Sequence, residues 1–158
     1  MRNIKLVKLI PVIFFVELLA LHLIDNLLYS GVIKTWFFDI AIILLLLCFS
    51  FIKEFGKVKF IGLIVLNILI IFLFIFILPS TTYEGGKAFV QNEISNDEVA
   101  FISTNYKLIP TTPRKSWFID DYYYHYEVEV SGEKLFYVVS PIDKHSFQLK
   151  EDFFRYER

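Results

Sequence analysis

The sequence predicts a membrane protein with three transmembrane α-helices followed by a small extracytoplasmic domain, α+β or mainly antiparallel β. Three observations carry that prediction. Residues 60–78 are Leu, Ile, Val or Phe at every position except Gly62 and Asn67. Two further apolar runs, 9–28 and 36–52, precede this stretch, and short basic clusters flank them. Beyond residue 79 the chain turns polar and acidic, with aromatic and β-branched residues in period-two alternation. The 158 residues are 56% hydrophobic and 18% aromatic with a net charge of −1, too apolar for an ordinary soluble domain.

The chain opens with a basic tail, 1–8, carrying Arg2, Lys5 and Lys8. The apolar run 9–28 after it resembles a signal peptide in outline. Glu17 interrupts that run, no small-residue cleavage site closes it, and further apolar segments follow, so a retained span is expected. It is the polar one of the three. Glu17 falls near its middle, with His22, Asp25 and Asn26 toward the far end. A carboxyl group at a helix centre costs roughly 2.5–3.5 kcal/mol on insertion scales, which the surrounding Leu, Ile, Val and Phe offset. Pro11 lies in the first turn, where a missing N–H costs little.

A short loop, 29–35, implies that the second span, 36–52, runs antiparallel to the first. Trp36 is placed as its interfacial anchor and Asp39 lies one turn inside. Residues 53–59 form a basic loop with Lys53, Lys57 and Lys59. The third span, 60–78, rises ~28 Å as a helix, close to the ~30 Å hydrocarbon core of a bilayer. Loop 29–35 holds only Lys34, against three basic residues in each of the tail and the 53–59 loop. The positive-inside rule therefore puts the N-terminus and loop 53–59 in the cytoplasm, and loop 29–35 and the domain 79–158 outside. The excess of Lys over Arg and the abundance of Ile and Phe suit an AT-rich bacterial genome, so a bacterial cell membrane is the expected location. The single cysteine, Cys48, lies in an apolar run, so the outer domain has no intramolecular disulfide to draw on.

In the outer domain, Tyr83-Glu84-Gly85-Gly86 reads as a hinge leaving the membrane. Residues 87–93 and 98–104 are short apolar stretches separated by a turn-like cluster at 94–97. Either suits a strand, and the first suits a helical turn or two equally well. Residues 106–116, with Pro110 and Pro113, read as loop. From Tyr122 to Val130 the residues alternate: Tyr124, Tyr126, Val128 and Val130 share one face, and Tyr123, His125, Glu127 and Glu129 the other. Ser131-Gly132-Glu133 is a turn and 134–139 a second strand, stopped before Pro141, which together make a hairpin. Residues 147–149 suit an added edge strand.

The pattern Tyr126-Glu127-Val128-Glu129-Val130, a Gly-containing turn, a second strand and then Ser140-Pro141-Ile142-Asp143 resembles the C-terminal hairpin of PepSY-type domains. These are small α+β modules found outside bacterial membranes beside peptidases or sensor proteins. The resemblance covers 126–149. It implies a small extracytoplasmic α+β module. The chain departs from the family in lacking an evident helix between 84 and 116 and the Thr-Gly of the usual Asp-x-x-Thr-Gly ending.

The residues able to carry chemistry fall into two groups. In the membrane, Glu17, His22, Asp25, Asp39 and Asn67 could form an ion or proton path, or polar contacts between helices. Antiparallel packing places Asp39 at the depth of His22 and Asp25, and Asn67 at the depth of Glu17. The expectation is interhelical glue, with Glu17 bonded to Asn67. In the outer domain, Asp120, Asp121, His125 and His145 match no metal-ligand spacing, and His125 is expected on a solvent-facing strand surface. Ser140 and Ser146 form no recognisable nucleophile arrangement with the histidines. No catalytic, cofactor-binding or metal site is expected, and no nucleic-acid partner. Arg114-Lys115-Ser116-Trp117-Phe118 suits a membrane-resting loop, although the core is the preferred place for Trp117 in a domain this small. Trp117 and Tyr123 are the candidate outer contact surface.

These features point to a non-enzymatic multi-pass accessory protein with two expected partners, the lipid bilayer and a membrane protein. Two alternatives stand beside it. One is a bacteriocin immunity protein. The other is a small subunit of a membrane transport or enzyme complex using Glu17 and His22.

Overall fold

The computed structural model describes residues 4–51, 57–94, 99–112 and 116–154. The element order is α1 (Ile4–Leu28), α2 (Trp36–Phe51), α3 (Lys57–Ile77), α4 (Tyr83–Ile94), β1 (Val99–Ile102), β2 (Leu108–Pro110), β3 (Tyr122–Val130), β4 (Glu133–Val139) and β5 (Ser146–Leu149). The chain divides into two compact units. One is helical, Met1–Asp25 with Lys34–Leu78; the other combines Asn26–Ile33 with Pro79–Arg158 and holds the sheet.

In the helical unit, Leu9–Leu28 of α1 and Val58–Ile77 of α3 are each 20 residues of apolar helix, long enough to cross a bilayer, and α2 is a shorter apolar helix. Ile52, the expected end of the second span, and most of the basic loop 53–59 lie outside the described residues. The unit is apolar on its outside. Phe15, Phe51, Val58, Phe72 and Phe76 are all well exposed. Its interior is thin: Phe14 and Leu21 of α1, Phe38 and Ile42 of α2, and Phe74 of α3 are buried, and the Phe38 ring meets Phe74 edge-on at 5.2 Å. A water-exposed protein rarely shows a contiguous apolar surface above a few hundred Å². This one covers whole helices.

The β unit is an antiparallel sheet in the order β1-β3-β4-β5, with β2 also pairing β3. The alternation over 122–130 produces the long central strand, and β3 and β4 form the expected hairpin in the register Val130↔Glu133 to Tyr124↔Val139. The turn between them has φ of 52° at Ser131 and 83° at Gly132. Two consecutive left-handed residues match the twist of a tight hairpin, and glycine adopts that conformation without strain. β5 adds the edge strand, as 146–149.

Several expectations need correction. Tyr83-Glu84-Gly85-Gly86 is not a hinge but the first turn of α4, and residues 87–93 continue it, so no strand forms there. Two glycines weaken a helix by roughly 1 kcal/mol each. Tertiary contacts outweigh that cost. Thr82 Oγ1 accepts from Gly85 N at 3.0 Å, and the Tyr83 ring is buried against Tyr126, stacked at 5.0 Å. At Gly86 the helix lies tight against the sheet, since a Cβ there would collide with the Tyr126 hydroxyl. The chain therefore does have a helix ahead of its hairpin, the element missing from the PepSY comparison. Residues 108–110, read as loop, form β2. Of the turn-like cluster 94–97, Ile94 is the last residue of α4, and 95–97 lie outside the described residues, as do Pro113, Arg114 and Lys115.

Both faces of the sheet are covered. α4 packs on the face of Tyr124, Tyr126, Val128, Tyr137 and Val139, all buried. On the opposite face, Ile109, Val138 and Phe154 form a second core with Tyr106, Tyr123, Phe147 and Leu149 around it. His125 belongs to that second core and is wholly buried. Its ring meets Phe154 edge-on at 5.3 Å and lies parallel to Phe136 at 6.2 Å. The solvent-facing histidine expected from alternation is thus an interior one, because the C-terminal segment folds back over that face. Trp117 is the converse: 76% exposed, not in the core.

Candidate functional site

Two places gather polar side chains, one in each unit. In the helical unit, Asn67 of α3 donates from its amide nitrogen to Glu17 Oε2 of α1. Glu17 is 9% exposed, and its other oxygen, Oε1, is buried with no hydrogen-bond partner among the described residues. Toward the other end of α1, His22 Nε2 lies 3.2 Å from Asp39 Oδ1 of α2. That contact has ion-pair distance without good hydrogen-bond alignment, since Oδ1 makes no hydrogen bond. Asp25 is buried. One polar pair therefore links α1 to α3 and another links α1 to α2, the arrangement expected of interhelical contacts.

In the β unit the site arises from a break in sheet pairing. One edge of β3 is served by two strands. β1 pairs with 127–130 and β2 with 122–124. Residues 103–107 bulge out between them. At the break, His125 N donates to Lys107 O at 2.8 Å, and His125 O accepts from the Tyr83 hydroxyl at 3.1 Å. A side chain thus supplies a bond that a continuous strand would have made. The space left is a cleft of about 200 Å³ between Tyr83 and Lys87 of α4, Phe101–Thr104, Lys107, Tyr126 and Glu127.

The cleft has an aromatic wall and a charged rim. Lys107 Nζ stands 5.0 Å from the centre of the Tyr83 ring. Lys87 Nζ lies 5.9 Å from that ring and 5.6 Å from Phe101, and pairs with Glu84 at 2.7 Å. Cations over aromatic faces are held by roughly 0.5–1 kcal/mol at exposed sites. Lys107 has no carboxylate partner among the described residues. At the base, Glu127 is 3% exposed and pairs with Lys134 Nζ at 3.1 Å. Burial, and then the charge of Glu84, push the Tyr83 phenol up to about 12, so it stays a hydrogen-bond donor at neutral pH. Tyr126 is raised for the same reason, burial first.

Comparison with family models, with curated proteins and with solved structures finds no match.

The remaining sequence candidates separate in space. Ser140 Oγ accepts from Ile142 N and Asp143 N, at 3.3 and 3.4 Å, and so organises the turn after β4. Ser146 donates to Glu93. Among the described residues no group of three or more His, Cys, Asp or Glu is gathered as a metal site would require. Tyr123 is half-buried, with its ring edge-on to Phe147 at 5.5 Å, so less of it is open than the sequence suggested. Sequence reasoning missed the cleft, since neither Lys87 nor Lys107 stands out by spacing. The one available signal was Pro110: a proline opposite the start of β3 marks a weak edge strand, where pairing breaks easily.

Proposed function

We propose that this chain is a non-enzymatic accessory protein of a bacterial cell membrane. Its helices α1, α2 and α3 cross the bilayer with the N-terminus in the cytoplasm, and its β unit lies outside. The β unit binds an extended segment of a membrane protein partner. The observation that carries the binding role is the cleft at the break between β1 and β2. It offers a short gap beside β3, an aromatic wall of Tyr83 and Phe101, and at the rim the ammonium of Lys107, which has no carboxylate partner among the described residues. A peptide laid there meets aromatic surface for an apolar side chain and a cation for a carboxylate or a carbonyl oxygen. The helix ahead of the hairpin is consistent with the PepSY resemblance.

The outward-facing apolar side chains of α1, α2 and α3, with the basic residues at the tail and in loop 53–59, support the spanning arrangement. At 16 residues α2 is short, ~24 Å of rise, and a local thinning of the bilayer accommodates it. Glu17 and His22 serve as contacts between helices in this reading, because each already has a partner on a neighbouring helix.

The test is photocrosslinking in native membranes from position 103, at the exposed mouth of the cleft, with position 133 in the exposed hairpin turn as control. One protein adduct at 103, absent at 133 and reduced by Lys107→Glu, is the expected result. No protein adduct at 103, or the same set at both positions, overturns the binding role.

A further inference from the structure

Trp117 is unusual in the β unit. It is 76% exposed, whereas among the described residues beyond Pro79 every other large apolar side chain is buried or half-buried, Phe153 and Tyr122 excepted. The backbone around it is nevertheless fixed. Ser116 Oγ accepts from Ile119 N at 3.1 Å, and Ile119 is buried. Ile119 also forms an antiparallel bridge with Ile33, and Asp120 N donates to Val32 O at 2.8 Å. Both partners belong to the loop that joins the end of α1 to the start of α2. Val32 and Ile33 are themselves buried, so this is a packed junction and not a grazing contact.

That junction sets a height. If α1 and α2 span the bilayer, a loop only seven residues long between them cannot leave the headgroup layer. A segment paired with it lies within ~5 Å of it. Trp117 is two residues from Ile119, at most ~7 Å along the chain. The chain that leaves α3 is tied into the sheet in the same way. Thr81 N, a few residues beyond the end of α3, donates to Pro141 O at 3.3 Å, and the Tyr124 hydroxyl donates to Thr81 O at 3.2 Å. In the spanning arrangement proposed above, the two chain junctions that carry these contacts lie at the outer surface of the bilayer.

We propose that Trp117 is a lipid contact: its indole lies in the headgroup layer of the outer leaflet and seats the β unit on the membrane. An indole suits that layer because its ring is apolar while its N–H bonds to water, ester or phosphate oxygen. In water the same exposed ring has nothing to gain. The Ile33–Ile119 bridge gives the contact its rigidity, so the loop does not have to order on binding. This inference rests on the spanning arrangement proposed above.

The chain contains two tryptophans, Trp36 and Trp117, which permits a direct test with the full-length protein. Trp36→Phe leaves Trp117 as the only indole, and Trp117→Phe leaves Trp36. Each variant is reconstituted in phosphatidylethanolamine–phosphatidylglycerol vesicles whose acyl chains carry bromine at a shallow or a deep position, and circular dichroism checks that each is folded. The expected result is that Trp117 loses most of its emission to shallow bromine, little to deep bromine, and little to aqueous iodide. Quenching of Trp117 by iodide alone, with Trp36 quenched by brominated lipid, overturns the seating of Trp117 and leaves the spanning arrangement standing. Lipid quenching of neither indole overturns both.

Discussion

The helical unit wears its large apolar side chains outside, and the β unit hides them. Among the described residues, exposed Leu, Ile, Val and Phe run along α1, α2 and α3, while the part of the β unit beyond Pro79 shows only Trp117, Tyr122 and Phe153. The two units also differ in their polar contacts. In the helical unit the partners are side chains: Asn67 bonds Glu17, and His22 meets Asp39. In the β unit three buried tyrosines donate to backbone carbonyls, Tyr83 to His125, Tyr124 to Thr81 and Tyr126 to Tyr83. The difference follows from backbone geometry. A helix satisfies its own N–H and C=O groups, so only its polar side chains need partners. A sheet whose edge is interrupted leaves backbone groups that something must meet.

If the units differ in this way, changes in one should leave the other standing. The largest effect is expected from Phe154→Ala, which opens the second core over His125, Ile109 and Val138. Loss of a buried phenylalanine ring costs about 3–5 kcal/mol. Thermal unfolding of the detergent-solubilised protein should show near-ultraviolet ellipticity melting much earlier while helical far-ultraviolet signal persists. Simultaneous loss of both signals would break the comparison.

Gly86→Ala comes next, at about 1–3 kcal/mol for an overpacked contact. Because the collision is with the Tyr126 hydroxyl, Gly86→Ala combined with Tyr126→Phe should be more stable than Gly86→Ala alone, even though the bond to Tyr83 O is lost. A double variant less stable than the single one would show that the close approach is not the constraint.

Alkaline pH should separate the units more gently. The Tyr83 phenol is pushed up to about 12 in the folded protein, against ~10 for a free phenol, and Tyr126 is raised too. Above pH ~10 the unfolded chain has released protons that the folded β unit still holds, so its stability falls as pH rises toward 12. Below pH ~10 these groups have no effect. Absorbance of tyrosinate against pH should rise together with loss of near-ultraviolet ellipticity, and Tyr83→Phe should lessen the loss.

The smallest effect belongs to the helices. If α1 and α3 lie in a bilayer, replacing both Glu17 and Asn67 by Ala in a double-mutant cycle should give a coupling of about 0.6 kcal/mol, up to ~1.7, the range of polar contacts between membrane helices. Glu17→Gln should be nearly neutral. Loss of function in Glu17→Gln at normal membrane abundance would point instead to a transport or enzyme complex using the carboxyl group.

What could be read in the sequence depended on how local the cause was. The apolar runs and the β3–β4 hairpin were legible because periodicity and the Ser131-Gly132 turn are written in neighbouring residues. Depth matching along antiparallel helices brought Glu17 to Asn67 and His22 toward Asp39. The failures were non-local. α4 was hidden because Gly85 and Gly86 oppose a helix, and the contacts with Thr82 and Tyr126 that favour it cannot be seen locally. Alternation assigned His125 to the correct face of β3 but not the cover that Phe154 and Tyr106 place over it. The cleft depends on the break between β1 and β2, which no motif records.

The central claim is that the exposed apolar helices lie in a bilayer with the β unit outside. The most direct measurement is labelling of intact cells with a membrane-impermeant maleimide, using single cysteines at position 5 and position 133 in a Cys48→Ser background. The account predicts that Glu133→Cys is labelled in intact cells and that Lys5→Cys reacts only after lysis. Labelling of Lys5→Cys in intact cells, or protection of Glu133→Cys until lysis, would contradict it.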